Sequence, residues 1–236
     1  MTEPLQLTTF EYDQRLPGIG LRLPARMTVL PLASGELALV SPIPIDDAMA
    51  VALSALGEVR FLIAPNLLHH LYLGAASRRY PNAQVLAPSA LRAKQPDLRI
   101  DGTLDDDLPA QLAEALEVVR IEGAPSLDEH VFFHRATRSL VVTELVFNVL
   151  HPRGLAAHIL LFAVGCHGRL AQSRAFRLFI KDRAAASRSV ERVLALPTET
   201  LIVAHGEIVR VDAREKLTEA LRWLLPASRR ELPAAS

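Results

Sequence analysis

Three apolar runs in this sequence each end in a group able to bind a metal ion. Val59–Ile63 leads into Pro65-Asn66-Leu67-Leu68-His69-His70, Leu140–Thr143 leads into Glu144, and Leu201–Ala204 leads into His205-Gly206-Glu207. In layered α/β proteins, chemistry gathers beyond the strand ends, where loops hold side chains on a rigid base. Imidazole and carboxylate groups delivered by three such ends form a convergent pocket if the strands lie side by side. Each element also has a plain structural reading. A His-His pair at a helix start caps the helix or meets solvent, and a carboxylate after a strand suits a turn or a helix N-terminus. A His-Gly pair suits a turn with a hydrogen-bonded imidazole. Agreement of all three in strand context favours the pocket.

Other chemically able residues carry weaker signals. His130 and His134 alternate onto one face of a strand, where a cross-strand surface role is expected. Arg174, Arg177, Lys181 and Arg183 fall partly on one helix face and can meet an anion, although a solvated flank beside Leu178, Phe179 and Ile180 is the simpler expectation. His158 and His167 read as packing or surface residues. Cys166 beside Gly165 reads as a small buried residue. Glu129, at the start of the His130 strand, has no assignment from sequence.

Composition narrows the chemistry. The single cysteine cannot form an internal disulfide or a cysteine-rich zinc cluster, so any metal shell must use histidine, carboxylate or water. Lysine plus arginine (26) equals aspartate plus glutamate (26), so no basic excess draws nucleic acid or an anionic membrane. Half of the 236 residues are hydrophobic, the profile of a folded core and not of a disordered chain. The segment Met1–Leu16 lacks a basic start followed by an apolar run, and Leu155–Val164 falls short of the ~20 residues that span a bilayer. A cytoplasmic setting is the default expectation, with a small molecule as partner and the oligomeric state open.

The pocket residues need elements to place them. Met27–Leu32 and Glu36–Val40 predict a hairpin around Ala33-Ser34-Gly35. Asp46 or Asp47 caps a helix running to about Leu56 and closed by Gly57. Val59–Ile63 predicts a strand, Leu67–Tyr80 a helix, Val85–Ala87 a strand and Ser89–Lys94 a helical turn. Val118–Ile121 is a strand, and His130–Phe133 with Ser139–Thr143 makes a hairpin. A long helical region from Gly154 to about Leu196 precedes the strand Thr200–Ala204 and a last helix over 212–225, with a frayed tail from Pro226. The two halves share this order, which predicts a single α/β domain over 1–236 with sheets inside and helices outside.

In order and spacing, Leu62-Ile63-Ala64-Pro65-Asn66 with His69-His70, Leu140-Val141-Val142-Thr143-Glu144 and Val203-Ala204-His205-Gly206 resemble the metallo-β-lactamase superfamily. More narrowly they are similar to a degenerate branch without assigned function that shares PN-x-x-HH and a late AHG. The resemblance runs from Leu21 to Leu225 and implies an α/β, metallo-β-lactamase-like four-layer αββα sandwich. The superfamily motif H-x-H-x-D-H, aligned on its end, sets Pro65 and Leu67 where two histidines belong, and Gly123-Ala124-Pro125 supplies no later histidine. One metal position is thereby dismantled. The other survives in altered form, with His69 in the aspartate place, His70 retained, Glu144 for the bridging aspartate and His205 for the last histidine.

The resemblance therefore implies His69, His70, Glu144 and His205 around one divalent metal, zinc foremost, with iron or manganese as substitutes and a metal-free pocket as the alternative. Asn66, Asn148 and His151 are the expected outer partners or pocket residues. The implied function is a mononuclear metal-dependent hydrolase in which Glu144 is a ligand or the catalytic base. The alternative is a non-catalytic descendant that binds a ligand or only maintains the fold.

Overall fold

The computed structural model describes residues 6–15, 22–105 and 108–226. Two sheets lie face to face. The first has the order β1 (Thr8–Arg15), β2 (Arg22–Pro31), β3 (Glu36–Val40), β4 (Glu58–Ile63), β5 (Gln84–Ala87) and β6 (Gly102–Thr103). It is antiparallel from β1 to β3 and parallel from β3 to β6. The second holds β7 (Leu116–Arg120), β8 (His130–His134), β9 (Ser139–Val142) and β10 (Thr200–Val203) in the order β10-β9-β8-β7.

Strand periodicity sorts the side chains into layers, because successive residues point to opposite faces. In β3, Ala38 and Val40 face the second sheet, while Leu37 and Leu39 face outward. In β9 and β10, Val141 and Ile202 face the first sheet, while Leu140, Val142, Leu201 and Val203 face outward. The inter-sheet core joins Leu30, Phe61, Ile63, Phe132, Val141 and Ile202. Outside the first sheet pack α1 (Asp47–Leu56), α2 (Leu73–Arg79) and α3 (Leu91–Lys94) through Leu53, Leu73 and Leu91. A short α4 (Ala110–Ala115) leads into β7, and α5 (Leu155–Ala163) follows the second-sheet hairpin. Outside the second sheet pack α6 (Arg174–Phe179), α7 (Arg183–Ala195) and α8 (Ala213–Leu221) through Phe176, Val190 and Leu217. The layers run helix, sheet, sheet, helix. No helix among the described residues is long and apolar enough to cross a membrane.

Local signals mostly fold as their chemistry dictates. Asp46 caps α1 by accepting the Met49 N–H at 2.8 Å. Gly35 closes the β2–β3 hairpin at φ +83°, and Gly57 ends α1 where a Cβ would stand 2.2 Å from the Gly35 carbonyl oxygen.

Several expectations change. The segment Leu67–Leu71 is not helical, so the helix begins only at Leu73. The reason is Asn66, whose Oδ1 takes the Leu68 and His69 N–H groups and turns the chain instead. The region 154–196 is three helices, interrupted at Gly165 and Gly168, both at positive φ, and again before Asp182, which caps α7. Strand β1 carries no sharp alternation because neither face of this edge strand is fully buried. His130 and His134 are buried, not at the surface, because they share the inter-sheet face with Phe132. His134 Nε2 donates to the Pro31 carbonyl at 3.2 Å. The tail beyond Pro226 lies outside the described residues.

Candidate metal centre

Three chain segments, distant in sequence, meet at one end of the sheets. Strands β9 and β10 are parallel neighbours paired in register, Val142 opposite Val203. Glu144 and His205 each stand two residues beyond those paired ends, so strand spacing of ~4.8 Å brings them abreast. The Phe147–Val149 segment is held against them. Asn148 N–H donates to the His205 carbonyl at 2.9 Å, and its Nδ2 donates to the Glu207 carbonyl at 2.7 Å. At Gly206, φ is +105° and a Cβ would lie 2.1 Å from the Asn148 carbonyl oxygen, so only glycine admits this approach. The buried Arg26 adds a clamp between the sheets, donating to the Val203 carbonyl and pairing with Glu11.

His69 arrives from the other sheet. The Asn66 turn at the end of β4 sets its backbone, and Ser41 Oγ lies 2.7 Å from its Nδ1. His69 Nε2 is then 3.0 Å from Glu144 Oε1, His205 Nε2 is 3.2 Å from the same oxygen, and the two Nε2 atoms are 3.2 Å apart. His205 Nδ1 meets the Pro24 carbonyl at 2.7 Å. A carbonyl only accepts, so Nδ1 carries the proton and Nε2 is the atom left to face Glu144 and His69. Phe147 stacks on the His205 ring, with centroids 4.7 Å apart.

Charge follows from these contacts. Burial alone would raise the Glu144 carboxyl, but hydrogen bonds from His205 and His69 hold it well below the usual carboxylate range. Burial would lower His205, yet its bond to Glu144 and the carboxylate charge raise it overall. At His69 burial prevails and the pKa falls despite Glu144.

Behind the triangle lies a carboxylate that sequence left unassigned. Glu129 is fully buried. Its Oε1 accepts from Thr143 N (2.9 Å), Thr143 Oγ (2.8 Å), Glu144 N (3.0 Å) and Leu145 N (3.3 Å), and its Oε2 accepts from Asn66 Nδ2 (2.6 Å). Burial and the nearby Glu144 charge push its pKa up to about 7, while the Asn66 and Thr143 donors pull downward. Through Asn66 and the Glu144 backbone, this one side chain positions two of the three triangle residues. Its one sequence signal is an acid placed immediately before an apolar strand.

The remaining expected residues fall into separate places. Of the four expected ligands, His69, Glu144 and His205 bring ligand atoms within 4.8 Å of one another, and His70 is not part of that group. His70 lines the adjoining cavity, with a buried Nδ1 that has no hydrogen-bond partner. Asn66 braces the His69 turn, and Asn148 braces the His205 turn. His151 lines a neighbouring cavity with Tyr12 and Arg153. The Arg174, Arg177 and Arg183 set lies apart from the triangle, with the Arg177 and Arg183 guanidinium groups over the Trp223 ring.

The triangle fits an ion. Ligands ~2.0–2.1 Å from a tetrahedral zinc stand ~3.3 Å apart, close to the edges observed. Both imidazoles have their other nitrogen held by Ser41 or Pro24, the outer support that metal-bound histidines require. The open side faces a cavity of about 520 Å³ lined by Leu23, Ile43, Leu68, Tyr72, Lys94 and Phe147.

No family model matches the sequence, and no curated protein is similar to it. Solved structures are. DIM-1 metallo-β-lactamase exposed to ceftazidime superposes with a TM-score of 0.59 at 17% identity, covering 93% of each chain. The metallo-β-lactamase from Pontibacter korlensis gives 0.60 at 13% identity, over 93% of this chain and 98% of that one. The metal-soaked Flv1 flavodiiron core from Synechocystis sp. PCC6803 gives 0.61 at 16% identity, over 92% of this chain and 58% of that one. With two sheets packed between helical layers and these neighbours in agreement, the chain adopts the metallo-β-lactamase fold.

Proposed function

We propose that this protein is a metal-dependent hydrolase of a small molecule, with a single divalent ion, zinc foremost, held by His69, Glu144 and His205. The observation that carries this reading is the convergence of two imidazole Nε2 atoms and one carboxylate oxygen within 3.0–3.2 Å, beside a largely apolar cavity. Three protein ligands and an open side are the arrangement of catalytic, not closed structural, zinc. When bound, such an ion supplies Lewis acidity and a water activated near neutral pH.

The chain's own residues do the rest. Ser41 and the Pro24 carbonyl fix the ring orientations, and Phe147 shields His205 from solvent. Leu23, Ile43, Leu68 and Phe147 receive the apolar part of a substrate and exclude water. Lys94, anchored on the Leu67 carbonyl, places a cation at the cavity wall for a substrate anion. His70 lines the same wall beside Lys94. A cytoplasmic setting and membership of the PN-x-x-HH branch belong to the same proposal and rest on composition and motif alone.

A second reading has its own support. Without an ion the triangle closes on itself. A protonated His205 donates to Pro24 and Glu144, and a neutral His69 accepts from Ser41 and donates to Glu144, which agrees with the directions of all three pKa shifts. That state suits a ligand-binding or structural protein. Metal content decides between them. Protein purified without chelator or nickel resin is expected to carry zinc, iron or manganese, with one ion per chain fewer in His205→Ala, and to hydrolyse ester, thioester or lactam probes only when the triangle is loaded. A chain that takes up no ion at the triangle supports the second reading.

A further inference from the structure

A second group of ligand atoms lies apart from the His69 triangle. Asp105 follows β6 at the edge of the first sheet, Asp128 precedes β8, and His130 opens β8 in the second sheet. One ligand atom from each lies within 4.8 Å of the others. His130 and Asp128 are almost wholly buried, at 1% and 2% exposure, and the Asp105 side chain is 11% exposed.

Among the described residues, each of these three groups has one polar atom held by a hydrogen bond and another that makes none. Asp105 Oδ2 accepts from the Ser89 N–H at 2.6 Å, and its Oδ1 has no hydrogen bond. Asp128 Oδ1 accepts from Arg120 Nε at 2.7 Å, and its Oδ2 has none. His130 Nδ1 meets the Asp128 carbonyl at 3.1 Å, which fixes the proton there and leaves Nε2 unpartnered. Buried polar atoms without partners are rare, and each one calls for an unseen water or ion. Three in one cluster, each on a side chain whose other atom is fixed, form the oriented-ligand pattern of a metal site.

The charges agree. His130 Nε2 stands 3.3 Å from Asp105 Oδ1 without hydrogen-bond geometry, so a neutral ring turns a lone pair toward a carboxylate oxygen. That approach is repulsive unless a cation lies between. Arg120, 46% exposed, supplies one positive charge from the solvent side, with Nη1 3.3 Å from Asp105 Oδ1, against two carboxylates. The cluster keeps a net negative charge.

We infer that Asp105, Asp128 and His130 form a second cation site, for a divalent transition metal such as zinc, which clamps the edge of the first sheet to the start of β8. The ligand set of one imidazole and two carboxylates suits zinc or manganese and excludes soft, thiolate-seeking ions. The His130 N–H also donates to the Pro65 carbonyl at 2.8 Å, so the clamp steadies the turn carrying Asn66.

The test counts ions in the full chain, stripped with chelator, equilibrated with zinc and freed of excess. The variants are His205→Ala, His130→Asn, which keeps a donor for the Asp128 carbonyl but deletes Nε2, and the isosteric Asp105→Asn. Wild type is expected to hold about two zinc ions, and His205→Ala and His130→Asn about one each. Cobalt bound to His205→Ala should show ligand-field absorption that Asp105→Asn abolishes in that background. Full wild-type stoichiometry in folded His130→Asn and Asp105→Asn overturns the second site, as does an ion-free His205→Ala. One ion in both wild type and His205→Ala, lost in Asp105→Asn, instead removes the proposed catalytic centre and leaves this site standing.

Discussion

Replacing Glu129 with glutamine tests how the site is held together. The isostere keeps one oxygen for the four donors on Oε1, but it turns an N–H toward Asn66 Nδ2, which is itself a donor. One buried donor then lacks an acceptor, at a cost of ~1–3 kcal/mol. Flipping the Asn66 amide does not help, because its Oδ1 already holds Leu68 and His69. For metal-free Glu129→Gln at pH 7 the expected loss is about 2 kcal/mol, a fall in Tm of roughly 4–8 °C for a chain of this size. The pH dependence adds a signature. An acid raised from 4.5 to about 7 on folding contributes stability that is complete below the unfolded value and disappears as pH climbs through the folded one. Glu129 should therefore contribute on the order of 1–2 kcal/mol more at pH 5.5 than at pH 7, a contribution the glutamine lacks, so the gap between the two proteins widens in acid. Asn66→Asp in the glutamine background supplies an acceptor for the new N–H and should restore at least half of the loss. Thermal or urea unfolding of chelated protein at three pH values measures all of this. A gap that is absent, or that stays constant with pH, refutes the account.

Two further outcomes follow from the triangle. Gly206→Ala sets a Cβ against the Asn148 carbonyl at positive φ and should cost about 3 kcal/mol or more with loss of zinc at the triangle, read by unfolding and metal titration; a wild-type Tm would contradict the close approach. Zinc binding must displace the proton that Glu144 raises on His205, and relief of the Glu144 charge draws one from Glu129, so affinity should climb with about one to two protons per ion through the neutral range and level off above it. Competition titrations from pH 5.5 to 8.5 check this, and an affinity independent of pH would exclude His205 as a ligand.

The strand ends were legible because each pairs an apolar run with a polar stop: Ile63 before Pro65-Asn66, Val142 before Thr143-Glu144, Val203 before His205. Periodicity and turn chemistry also gave the hairpin at Gly35, and capping preference narrowed the helix start to Asp46 or Asp47, of which the structure uses Asp46. What escaped depends on contacts between distant segments. The Leu67–Tyr80 pattern reads as helix, yet a single Asn66 side chain captures two N–H groups and unwinds its start. Glu129 has no role in sequence until Thr143 and Asn66 surround it. His130 and His134 share a face in sequence, but only the stacking of the second sheet shows that face to be interior. The contribution of Ser41 and of the Pro24 carbonyl has no local signature, since they lie 28 and 181 residues away from the rings they hold.

Glu144 and His205 each stand two residues past the paired ends of neighbouring parallel strands, so their separation follows from the register of that pair. The part of the 145–200 excursion beyond Val149 can therefore vary without respacing this pair. His69 alone comes from the opposite sheet, on a turn braced by Asn66. Any sliding of one sheet over the other is thus reported first as a change in one imidazole, which makes the ring signals of His69 a natural spectroscopic gauge of sheet docking.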